Sequence, residues 1–333
     1  MGLSLARSLA RSGAGVTLFT ASGLGEGGAS AVPAALLNPF RGRSGRAHPD
    51  DLRALATTWR WAAELASAGL DAGAHRSGVV RVADGPRQAR AFATVEGLQP
   101  FAPGEAPAPF RAPHGGAVGA EGGWLDPRRW TAALAAAARA AGATLRATAE
   151  VVAVERTGGG RWRIDGHGFA PAVVDRLILA VGAAPWPDGW RAALGEPPAF
   201  DRLAGDVVTT SLPAPALPLA GAVYLAPATT TAGAVAAVGG HHRPPGPPGP
   251  DAAERLRHAL AWAWPALAAA PTRADAPPWW GVRAHGPGNR PQLVELAPGA
   301  WWCGTLAGRG FLAAADRAEA AAARVNSPPA DGA

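Results

Sequence analysis

Apolar residues recur at helical spacing from the start of the chain. Over residues 2–12 (GLSLARSLARS), Leu3, Leu5, Ala6 and Leu9 share one side of a helix, and Gly13 is a natural C′ residue to end it. Residues 15–20 (GVTLFT) read as a short buried strand, followed by a Gly-rich turn at 23–28. Helical periodicity returns over 50–68, a stretch that includes Trp59 and Trp61. Residues 77–83 (SGVVRVA) have the make-up of a strand, and the chain is then polar and Pro-rich to about Gly122. Asp126 as N-cap and Pro127 at the first helical position open another helix, which ends at Gly142. Residues 144–155 and 161–165 are expected to pair as a hairpin around the TGGG at 157–160. Residues 176–181 (RLILAV) form a continuous apolar strand that stops at Gly182.

The pattern changes in the central third. Residues 206–240 are rich in Val, Thr and Ala with Pro breaks, which predicts antiparallel strands of a second domain. Residues 243–250 (RPPGPPGP) must be a loop, because proline removes ladder donors. Asp251 and Glu254 make a capping-box pattern for a helix reaching about Trp264. The final unit begins at Trp280, continues through 292–296 and 300–303 to a glycine turn at 304–310, and closes with a helix over 311–324. In the first half, the order of helix, hairpin and buried strand is typical of α/β nucleotide-binding domains.

Composition narrows the class. Of 333 residues 48% are hydrophobic and 17% charged, enough apolar content for a folded body despite 44 Gly and 33 Pro. All 31 basic residues are arginine and the net charge is +6. That balance admits a nucleic-acid partner, but the arginines are scattered rather than blocked, which fits GC-rich coding. The single cysteine, Cys303, excludes a disulfide framework and any multi-Cys metal site. It lies among Trp and Ala, as a buried small hydrophobe would. His48, His75 and His114 lack ligand spacing, so no metal is expected. Arg7 and Arg11 interrupt the apolar N-terminal stretch, against a signal peptide. The uncharged span 207–240 is broken by Pro213, Pro215, Pro218 and Pro227, so it is no spanning helix. A soluble, cytoplasmic protein is the expectation.

The N-terminal helix invites a chemical reading. A dinucleotide fold needs a strand, then Gly-x-Gly-x-x-Gly, then a helix whose amides and dipole meet a pyrophosphate. Here only the last glycine, Gly2, and the helix are present, as if the chain began inside the motif. An ordinary capped helix looks the same. The remaining motifs follow in order: Gly28-Ala29-Ser30, PAALLNP at 33–39, GGWLDP at 122–127, LILAVG at 177–182, Gly281-Val282-Arg283, and the turn from Gly304 to Phe311. Together they resemble the FAD-dependent D-amino-acid oxidase/glycine oxidase superfamily over nearly the whole chain. Within it the chain is most similar to the FAD-dependent half of the bifunctional enzyme that makes methylaminomethyl-thiouridine in tRNA. VTLFTA at 16–21, the LNP ending at Pro39, Gly122-Gly123-Trp124 and Gly281-Val282-Arg283 carry that closer likeness.

The resemblance implies an α/β fold: a discontinuous Rossmann-type FAD-binding domain, its first strand missing, interleaved with a mixed-sheet α+β substrate domain. Residues 1–75, 123–185 and 280–324 would form the first and 76–122 and 186–279 the second, with 325–333 a disordered tail. Carried over by motif, Gly2 would abut the pyrophosphate of FAD. Gly28, Ala29, Ser30, Ala35 and Leu36 would line the ribityl–pyrophosphate and flavin region. Val151 would offer its backbone to adenine, and Ala180 and Gly182 would close the strand end over the cofactor. Gly308, Arg309, Gly310 and Phe311 would present a helix N-terminus to the flavin's pyrimidine ring, where amides and dipole stabilise the negative charge of a reduced flavin.

Arg283 is the expected substrate residue, its guanidinium suited to a bidentate grip on a carboxylate; read without the family it is equally a structural salt bridge. The implied chemistry is oxidation of an amino-acid-like or N-carboxymethyl amine by hydride transfer, with no acid or base required. It is either the carboxymethyl-removing step of wobble-uridine modification or a stand-alone glycine or D-amino-acid oxidase or dehydrogenase. The partners are then a small amine or modified tRNA. His241, His242 and Arg243 are a solvated loop, pocket lining, or a contact to RNA phosphate. Two departures stand out: Thr20 replaces the acidic residue that binds adenine ribose in many relatives, and the first strand does not precede Gly2. The missing strand leaves open an upstream start, or a compromised flavin binder that is a truncated, non-catalytic remnant of the fold.

Overall fold

The computed structural model describes residues 1–231, 233–240 and 242–327. Its first half is held by two short parallel pairs. Thr17–Phe19 runs beside Thr144–Arg146, with Leu18 opposite Leu145. Leu177–Leu179 runs beside Ala300–Gly304, which also pairs antiparallel with Gln292–Ala297. Residues 144–146 therefore do not belong to the expected hairpin. Thr148, at φ 52°, turns the chain between sheets, and the antiparallel ribbon is Glu150–Arg156 with Trp162–His167, extended by Ala172–Val174. A run of β-formers from 144 to 155 conceals that break, because the left-handed residue is a threonine rather than a glycine.

Helices cover these strands. Gly2–Arg11 buries Leu5, Ala6 and Leu9, as its periodicity requires. Pro127–Ala140 is capped by Asp126, whose carboxylate accepts from the amides of Arg128 (2.9 Å) and Arg129 (3.2 Å). Pro49–Ser67 and Gly310–Asn326 pack together, and the small Ala315, Ala318 and Ala322 let their backbones approach around Leu55, Trp61 and Leu65. The last helix runs beyond the expected order boundary at 325, because Val325 is 4% exposed and packs in this core. Residues 328–333 of the expected tail lie outside the described residues.

The second half is a mixed eight-stranded sheet, ordered Trp279–His285, Asp201–Pro213, Gly233–Gly239, Tyr224–Thr230, Leu219–Ala220, Val79–Val82, Gly116–Gly119 and Leu98–Phe101. The antiparallel strands expected over 206–240 are its centre. Leu98–Phe101 hides in the Pro-rich stretch and tolerates Pro100 because it is the outermost strand. Helix Ala252–Ala261 covers one face through Leu256 and Leu260. Asp251 occupies its N-cap position, but its carboxylate pairs with Arg255 rather than an amide, so the expected capping box does not form. Trp279–His285 ladders along Asp201–Pro213, with Arg283 opposite Leu203. The sheets thus do not divide at residue 280. No helix among the described residues is long and apolar enough to cross a membrane.

The packed helices also hold a charge cluster. Glu64 accepts hydrogen bonds from Arg7, Arg11 and Arg60. Burial raises its pKa, but the bonds from Arg11, Arg7 and Arg60 outweigh this and bring it down to about 2. A carboxylate depressed on folding stabilises fully above its unfolded value and progressively less as pH falls through its folded one. We expect the stability difference between the protein and Glu64→Gln, measured by urea unfolding, to be full at neutral pH. It should shrink between the ordinary 4.5 and about 2; a difference independent of pH would contradict the assignment.

Candidate active site

The large sheet and the helical half meet at a cavity of about 920 Å³. One wall is the strand Trp279–His285, from which Trp279, Arg283 and His285 face inward at alternating positions, as strand geometry dictates. The opposite wall is the turn before Gly310–Asn326 together with Ala29–Ala31. Two non-glycine residues in that turn, Thr305 (φ 57°) and Ala307 (φ 50°), hold left-handed backbone. Strain of this kind persists only where surrounding packing imposes it. A Cβ added to Gly308 would lie 3.5 Å from Arg283 Nη1, so the guanidinium lies directly against the turn. A Cβ on Gly281 would stand 3.2 Å from Ala29 Cα and closer still to Trp279, so that glycine lets the two walls meet.

The helix Gly310–Asn326 starts without a side-chain cap, and Gly310, Phe311 and Leu312 line the cavity at its first turn. Uncapped amides at a helix start favour an acceptor with negative charge. Arg309 is anchored beneath them: Nη1 donates to Asp51 Oδ1 at 3.0 Å, while its Nε and Nη2 are buried without a partner among the described residues. Asp51 is 1% exposed and also accepts from Arg41.

Burial pushes the Arg283 pKa down, with the charges of Tyr224 and Asp206 opposing. A guanidinium remains cationic nonetheless. The Tyr224 hydroxyl donates to Ala34 O at 3.0 Å, and burial pushes its pKa up. Asp206, 1% exposed, is matched by Arg243, whose Nε and Nη2 reach it at 2.9 and 2.6 Å. Arg243 is therefore a buried-carboxylate partner rather than part of a solvated loop. His242 lines the cavity, and His241 lies outside the described residues.

Of the residues singled out in the sequence, Ala29, Ser30, Ala35, Leu36, Arg283, Gly308, Arg309, Gly310 and Phe311 converge on this cavity. Gly2 and Ala180 sit together elsewhere, a Cβ on Gly2 lying 4.0 Å from that of Ala180 and 3.3 Å from Leu18 Cδ1. Gly28 and Gly182 have open space where a side chain would stand, and Val151 packs at the edge of the core around Trp162. These last five do not line the cavity. His285, Asp51, Tyr224 and Asp206 are site residues that sequence reasoning missed. Cys303 is 3% exposed and burial pushes its thiol up to about 11, an inert core side chain.

The family model for the DAO family, FAD dependent oxidoreductase, matches residues 1–324. This chain belongs to the DAO family. No curated protein matches it by sequence. Among solved structures, glycine oxidase from Geobacillus kaustophilus is 23% identical with a TM-score of 0.82, covering 99% of this chain and 93% of that one. Iminodiacetate oxidase from Chelativorans sp. BNC1 is 20% identical with a TM-score of 0.78, covering 99% and 94%. L-proline dehydrogenase from P. horikoshii is 16% identical with a TM-score of 0.79, covering 97% and 90%. The DAO fold, a Rossmann-type FAD-binding part with a mixed-sheet part, is thus the fold of this oxidoreductase. The family's cofactor is FAD, and the residues here suit it: an uncapped helix start whose first turn lines the cavity, and glycines with open space where a side chain would stand.

Proposed function

We propose that the protein oxidises a C–N bond in a small amine bearing a carboxylate, glycine-like or N-carboxymethyl. The observation that carries this reading is Arg283, half-buried and set against the strained turn at Gly308 in the cavity wall. A guanidinium there grips the acid, and the grip orients the adjacent carbon toward the helix-start wall. FAD, when bound, supplies a hydride acceptor. Gly308, Arg309, Gly310 and Phe311, with Ala29, Ser30, Ala35 and Leu36, would hold its flavin end. Gly2, Gly28, Val151, Ala180 and Gly182 would hold the remainder, and the division into 1–75, 123–185 and 76–122 is kept in this proposal, while Trp279–His285 goes with the large sheet it pairs in. A small acidic substrate also agrees with neighbours named as oxidases of glycine and iminodiacetate.

A second version, with the carboxymethyl amine carried on tRNA, is favoured by Arg41 and Arg43, which are exposed at the cavity's rim and suited to phosphate. Anaerobic mixing of the FAD-loaded protein with glycine, sarcosine, iminodiacetate or carboxymethylaminomethyl-tRNA separates the two. We expect the visible flavin band to bleach with at least one of the small acids. Bleaching by the tRNA alone selects the second version, and bleaching by none overturns both.

A further inference from the structure

The cavity has two ends. Arg283 stands at one, and the other is built on strand Val79–Val82 and a flap at residues 40–47, closed by a bridge between Phe40 and Ala47. In the large sheet, Trp279–His285 and Val79–Val82 are five strand positions apart. At about 4.8 Å per step that is roughly 24 Å along the sheet, a gap that arginine side chains reaching inward from each end shorten. Glycine or sarcosine held by Arg283 therefore fills one end only.

The far end carries an excess of positive charge. Arg81, 6% exposed, donates to Phe40 O and, at 2.6 Å, to Gly42 O, and its guanidinium lies 5.0 Å from the centre of the Phe92 ring. Among the described residues no carboxylate accepts from it, so its charge is met only by carbonyl dipoles and a ring face. Gln88, on helix Pro86–Phe92, donates to Arg43 O at 3.0 Å and fixes the flap from a second side. Arg41 and Arg43 are exposed on this flap and line the cavity. Arg41 pairs with Asp51, whereas the Arg43 guanidinium has no hydrogen bond or ion pair among the described residues. Asp84 is the acid lining this end, so three guanidiniums stand there with one carboxylate.

We propose that Arg43 anchors a second anionic group, carried by the substrate far from its amine, with Arg41 and Arg81 supplying the surrounding field. The natural substrate is then an extended amine, with a carboxylate beside the oxidised C–N bond and a phosphate or carboxylate at its far end. Glycine-like acids bind the Arg283 end alone and make the weaker substrates. This inference rests on the function proposed above and goes beyond either version of it: the far anion is recognised whether it belongs to a free ester or to a nucleic-acid strand.

The test is calorimetric binding of three acids without an amine to the FAD-loaded protein: octanoate, 8-phosphonooctanoate and 4-phosphonobutanoate. We expect 8-phosphonooctanoate to bind about five- to thirtyfold more tightly than octanoate at low salt, and the advantage to shrink as salt rises. Arg43→Gln should abolish that advantage and Arg43→Glu invert it. The flap is held through main-chain oxygens, so these side-chain changes leave its course intact. Binding of 4-phosphonobutanoate, too short to span the cavity, should not depend on Arg43. An advantage that survives Arg43→Glu, or a dependence on Arg43 that is largest for the four-carbon acid, overturns the proposal. So does an equal loss of octanoate and 8-phosphonooctanoate binding in Arg43→Gln, which would mark a structural role. Displacement of 8-phosphonooctanoate by unmodified tRNA assigns the far anion to a nucleic-acid strand, and displacement by ribose 5-phosphate alone assigns it to a free ester. Flavin bleached by sarcosine with no phosphonate advantage removes the far anchor and leaves the proposed function standing; bleaching by no amine removes both.

Discussion

Replacing Arg283 by Ala is expected to raise KM for a carboxylate substrate by roughly thirty- to several-thousand-fold. The range follows from the about 2–5 kcal/mol lost when one partner of a desolvated charge pair is removed. The range applies because Arg283 is half-buried in the cavity wall, where fewer waters compete for it than at an open surface. Arg283→Lys should recover only part, since an ammonium keeps the charge but loses the planar fork. The rate at saturation should fall less than the affinity, because the guanidinium binds a group that does not react. Steady-state kinetics on the FAD-loaded protein decide it, and an unchanged KM would remove the assigned grip.

Removing Asp51 should cost more in stability than in substrate binding. Its carboxylate is 2% exposed at the side chain, and the Arg309 it pairs is 11% exposed. Asp51→Ala leaves that guanidinium buried without an anion, a change worth about 3–5 kcal/mol. The contact to Arg41 adds little, since Arg41 is 44% exposed. Urea unfolding should show the loss, and the variant should release FAD more readily because the helix start above Arg309 is no longer held. The double variant Asp51→Ala/Arg309→Met should regain much of the lost stability, since it removes the stranded charge. If the two changes simply add, the pair does not act as a unit.

Much of this architecture was legible in the chain, for identifiable reasons. Apolar periodicity placed the helix at residues 2–11 to within a residue and the strand at 177–179 inside the expected 176–181, and Asp126-Pro127 marked a helix start by two independent signals. Failures came where tertiary context decides. Thr148 breaks a run of strand formers without a glycine to announce it, and Asp251 satisfies Arg255 instead of an amide. In the site, glycine turns and Arg283 were readable because backbone approach and anion binding restrict residue type. His285 was in principle readable as well, since alternation puts it on the face of Arg283; its contact with Asn289 is visible only in three dimensions. Asp51 had no such cue, because a helical Asp three residues beyond the N-cap His48 looks like ordinary N-terminal acid.

The two walls of the cavity are founded on different cores. The helix-start wall rises from the cluster around Leu55 and Trp61, the Arg283 wall backs onto one around Val207 and Ala237, and Phe311 packs against both. Close-packed interiors transmit strain, so Phe311 is where repacking beneath one wall reaches the other. A change of substrate made by recutting the Arg283 wall therefore has to keep the fit around Phe311, or it disturbs the helix start on the other side.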